Sequence, residues 1–71
     1  MIIYENQRKI LKLFIKNTDE YIEKDDLNGL LFALFIFTMV YGFNKKRGRL
    51  NLFGRKLDKL YDEILEQNRN S

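Results

Sequence analysis

Between Asp26 and Asn44 the chain runs from Leu27 to Phe43 without one charged side chain, and both flanks of that run are dense in charge. Asn28 and Thr38 are its only clearly polar members. Leu, Met and Ala content, the length of the run and the capping pair Asp25-Asp26 before it predict a helix over residues 27–43. Such a helix is apolar all round and must be buried all round. That requirement governs everything else the chain can do.

The flanks supply part of the cover. Ile3, Tyr4, Ile10, Leu11, Phe14, Ile15, Tyr21 and Ile22 fall on one helical stripe, with Ile2 and Leu13 off it. They predict an amphipathic helix over 3–23, with a break at Asn17-Thr18 left open because Thr18 or Asp19 can cap a new start. After the basic turn Asn44-Lys45-Lys46-Arg47-Gly48-Arg49, a third helix is expected from Leu50 or Asn51 to Gln67. Leu50, Phe53, Leu57, Leu60, Tyr61, Ile64 and Leu65 line its apolar face, Gly54 weakens its first turn, and the tail Asn68-Arg69-Asn70-Ser71 is expected to fray. The fold class is therefore all-α, three helices in one small domain spanning residues 1–71. The alternative is α-β-β-α, with a hairpin across 44–48 joining residues 30–43 to 49–53.

Two single-stripe helices cover about two thirds of the central helix, and the remainder needs another chain or lipid. A chain of 71 residues also buries too little surface to be secure on its own core. Disulfides and zinc, the usual supports of small proteins, are excluded by the absence of Cys and His. Oligomerisation, a partner or a lipid phase remains, and a homodimeric helical bundle is expected. Phe32, Phe35, Phe37 and Phe43 point in different directions around the central helix, so some must face whatever completes the core, and Phe32, Phe35, Ile36, Met39 and Phe43 are the candidate oligomer or partner interface.

The same absences remove most catalytic machinery. No Cys-His or Ser-His-Asp arrangement can be assembled, and the only serine is Ser71. The chain is read as a non-enzyme with no cofactor and no metal. Asp19, Glu20, Glu23, Asp25 and Asp26 lack the spacing and glycine of a calcium loop and are better explained as helix-start charges.

Charge is arranged in blocks. Residues 1–26 carry five basic and six acidic side chains, residues 27–43 none, and residues 44–71 eight basic and four acidic ones. Lys45, Lys46, Arg47, Arg49, Arg55 and Lys56 form a candidate anion or nucleic-acid patch, with Gly48 admitting an anion to the backbone and Phe43 and Phe53 placed to stack on bases. The plainer reading is a solvated turn complementing a helix C-terminus, and a net charge of +3 is low for a nucleic-acid specialist.

Three functional classes follow. The favoured one is a small protein-interaction module, an inhibitor or regulator that occupies the surface of a larger target and pairs with itself. Usage rich in Lys, Asn, Ile, Phe and Tyr with a single alanine fits AT-rich coding, as in a phage or mobile element. The second is a single-pass membrane protein anchored through residues 27–43, about 25 Å as a helix against roughly 30 Å of hydrocarbon, with its basic C-terminal segment cytoplasmic. The third is a nucleic-acid accessory using the basic turn. A mean hydropathy of −0.41 and an N-terminus without signal-peptide character favour a cytoplasmic location over the membrane.

Overall fold

The computed structural model describes residues 1–69. The N-terminal stripe does not make one helix but two, α1 (Glu5–Phe14) and α2 (Thr18–Glu23). Ile15 leaves the helix with extended backbone, φ −116° and ψ 107°. The buried Thr18 hydroxyl then donates to the Ile15 carbonyl at 2.7 Å and fixes the corner. Across that corner Asp19 accepts from Arg8 Nε at 2.8 Å and pairs with Lys12 Nζ at 3.0 Å, tying α2 to α1. The expected stripe is only partly inward, already within α1. Leu11 and Ile15 are buried and Ile10 and Tyr4 are exposed, while the polar Gln7 is buried in their place.

Asp25 adopts φ 54°, the left-handed conformation that turns the chain out of α2. Asp26 then caps α3 (Leu27–Tyr41), its carboxylate accepting from the Gly29 N–H at 3.0 Å. The helix ends two residues short of the uncharged run, at Gly42, because a two-stranded hairpin follows. Strands β1 (Phe43–Asn44) and β2 (Arg49–Leu50) pair antiparallel, Phe43 opposite Leu50 and Asn44 opposite Arg49. The hairpin alternative therefore holds only at its tip, since residues 30–41 are helical. Packing of the buried side of α3 against α2 and α4 outweighs the β-preference of Phe, Ile and Val.

Asn51 caps α4 (Leu52–Asn68) by accepting from Gly54 N–H at 2.8 Å. Gly54 thus lies inside the helix rather than delaying it. Its value is space: a Cβ built there would meet the Gly42 carbonyl oxygen at 2.0 Å, so backbone rests on backbone where α4 turns back along α3. The far end of α4 is tied down too. Asn68 Nδ2 donates to the Ile2 carbonyl at 2.9 Å and the Arg69 N–H to the Glu66 carbonyl at 3.2 Å, so neither residue frays as expected. Asn70 and Ser71 lie outside the described residues.

Over the described residues the molecule is mostly helical, four helices and one small hairpin, with one contiguous core of Leu11, Ile15, Leu30, Leu31, Leu34, Leu57, Leu60 and Ile64. Phe14 extends it at the hairpin end, its ring 5.3 Å from Phe37 and 5.2 Å edge-on from Phe53. Thr38, polar within the apolar run, is satisfied by its own helix, donating to the Leu34 carbonyl at 2.8 Å.

Candidate interaction surfaces

The core covers only one side of α3. Leu30, Leu31, Leu34 and Thr38 are buried, and the opposite side is bare. Phe32 is 65% exposed, Phe35 49%, Ile36 45%, Met39 43% and Val40 62%. At 100° per residue these five occupy an arc of about 140°, flanked along one edge by Tyr61 and Leu65 of α4. Four of the five candidate interface residues read from the sequence lie on that arc. The fifth, the half-buried Phe43 in β1, extends it past the helix end, lining one concavity with Phe35, Met39 and Leu50.

Three contributors escaped the sequence reading. Val40 is one helical turn from Ile36, and spacing alone marks it. Tyr61 and Leu65 of α4 flank α3, and Leu65, expected in the core, is 42% exposed. Leu65 is one residue past the buried Ile64, and only the angle at which α4 crosses α3 decides which of the two turns inward. Phe37 goes the other way, into the Phe14 and Phe53 rings.

The result is two shallow concavities end to end along the α3–α4 seam. Asn28, Leu31, Phe32 and Leu65 line one, and Met39, Phe43, Leu50 and Asp58 line the other. Phe35 and Tyr61 stand between and belong to both.

The basic hairpin sits at the C-terminal end of α3. Asn44 organises it: its side-chain oxygen accepts from the N–H groups of Lys46 at 3.0 Å and Arg47 at 3.2 Å, and its carbonyl accepts from Gly48 at 2.9 Å. Gly48 takes φ 65° with nothing within 4 Å of where a side chain would start. Arg47, Arg49 and Arg55 surround a concavity of about 270 Å³ together with Asn44 and Asn51. Lys45 and Lys46 are exposed near the tip, and Lys56 belongs to a separate apolar groove with Ile10 and Leu13. Among the described residues none of these six cations forms an ion pair. The aromatic flank expected for stacking is not presented, because Phe53 packs edge-on against Phe14 and Phe43 faces the α3 groove.

The acidic residues are dispersed. Asp19 is held by Arg8 and Lys12, Glu20 by Lys24 at 2.9 Å, Asp25 pairs with the N-terminal ammonium, and Asp26 caps α3. Among the described residues no three carboxylates are placed to hold a metal ion. Nor is any helix among them long and apolar enough to cross a membrane. Comparison with protein-family models, with curated proteins and with solved structures finds no match to this chain.

Proposed function

We propose that the protein is a non-enzymatic interaction module that docks another protein chain through the bare face of α3. The observation that carries this reading is the unbroken apolar arc of Phe32, Phe35, Ile36, Met39 and Val40, exposed on a helix whose other side is already core. Scattered apolar residues on a surface are ordinary, but a contiguous stripe with two aromatic rings and no charge is what a protein interface buries. The module acts by covering a surface rather than by turning over a substrate, the manner of a small inhibitor or regulator.

A photo-crosslinking amino acid placed at Phe35, and separately at the exposed Lys9 of α1, tests the reading in cells producing the chain. Protein adducts are expected from position 35 and not from position 9. Equal adducts from both, or none from position 35, would contradict it.

A further inference from the structure

We infer that the chain seated on this face is a second copy of the same protein, with the two α3 helices antiparallel about a two-fold axis passing between Phe35 and Ile36. The inference rests on the docking reading above and adds the occupant and its register.

The first support is the spacing of the face. Phe32, Phe35, Ile36 and Met39, four of the five exposed arc residues, are symmetric about the point between residues 35 and 36, and Val40 is the exception, its counterpart being the buried Leu31. Reversing the helix about that point lays Phe35 on the partner's Ile36 and Phe32 on the partner's Met39. An isologous contact needs such self-complementarity, because each residue must meet what its own copy offers in return. The two concavities obey the same symmetry. They lie on either side of Phe35 and Tyr61, so the Phe32 end of one copy faces the Met39 end of the other.

The second support is charge. The N-terminal end of α3 is flanked by Glu23, Asp25 and Asp26, and its C-terminal end by Lys45, Lys46, Arg47 and Arg49, with nothing charged between. Antiparallel pairing puts each acidic end beside the partner's basic end. Parallel pairing puts like against like. Two cations at the acidic end are already held, the N-terminal ammonium by Asp25 and Lys24 by Glu20 at 2.9 Å. Opposed helix dipoles favour the same orientation. Apolar spacing and charge order are independent features, and they select one axis.

Because the chain has no cysteine, single engineered cysteines report only on themselves. Under mild oxidation Ile36→Cys is expected to give a disulfide-linked homodimer, and Phe32→Cys and Met39→Cys alone to remain unlinked. Mixed together, Phe32→Cys and Met39→Cys should cross-link to each other. Homodimers at all three positions would indicate parallel pairing and overturn the register. No cross-link at any position, with position 35 still giving adducts to a different protein, would overturn the second copy while leaving the docking face intact. Adducts neither to itself nor to another protein would remove both. As a variant outside the apolar face, Lys45→Glu with Lys46→Glu should weaken the dimer and leave the helical signal unchanged. An unweakened dimer would refute the charge-ordered ends.

Discussion

Gln7 and Gln67, sixty positions apart, clasp each other by their side-chain amides. Gln7 Nε2 donates to Gln67 Oε1 at 3.0 Å, and Gln67 Nε2 donates back to Gln7 Oε1 at 2.7 Å. Gln7 Oε1 also accepts from the Tyr4 N–H at 3.0 Å, closing the first turn of α1. A buried amide left with half its partners costs more than the pair contributes when intact. Gln7→Leu should therefore destabilise the fold by about 1–3 kcal/mol, measured by urea unfolding. In a double-mutant cycle with Gln67→Leu the two losses should fall short of additive.

Gly42 and Gly54 make a second test. A methyl at Gly54 would meet the Gly42 carbonyl oxygen at 2.0 Å, and one at Gly42 the Gly54 Cα at 2.5 Å. Both obstacles are backbone, which cannot swing aside as a side chain does. Gly54→Ala should lower stability by about 1–3 kcal/mol, although alanine is intrinsically the better helix former. Gly48→Ala meets no atom, and its cost is confined to the positive φ, expected at about 1 kcal/mol. Thermal melts of the two variants should rank in that order.

Asp19 sets an acid limit. Side-chain hydrogen bonds from Lys12 and then Arg8 hold its carboxyl below the ordinary value of 3.8. A group depressed on folding contributes stability that is fully present above its unfolded pKa and lost as pH falls through its folded one. Asp19→Asn should therefore be less stable than the parent at neutral pH. The difference should close as pH drops below 3.8, followed by circular dichroism across an acid titration.

The basic hairpin is expected to be dispensable for folding. Lys45, Lys46 and Arg47 are exposed, and the turn is held by the Asn44 side chain and by Gly48 rather than by its cations. Changing all three cations to alanine should leave stability within about 0.5 kcal/mol per site, and should weaken self-association at low salt. Binding of nucleic acid that falls steeply with salt and vanishes in this variant would instead make the hairpin a phosphate-binding element.

The sequence revealed the helices flanking the basic turn because their caps and periodicity are local. Asp26 caps α3 as its chemistry suggests, and α4 begins within two residues of the expected start. The corner at Ile15–Thr18 was less legible, because it depends on a buried hydroxyl bond and on Asp19 reaching back to α1. Gln7 in the interior was invisible for the same reason, since its partner lies at the other end of the chain. For the docking face, the uncharged run identified which residues need cover, but not which side α1, α2 and α4 would leave bare. That follows from where Gly42 and Gly54 let α4 cross, and it turned Phe37 inward and Leu65 outward.

Multi-angle light scattering on a size-exclusion column, run without detergent over a range of loading concentrations, tests the central claim most directly. The unmodified chain should elute as a particle of two chains, and Ile36→Glu as a single chain with unchanged helical content. A parent chain that stays single at every concentration, or one recovered only in detergent, would contradict the account.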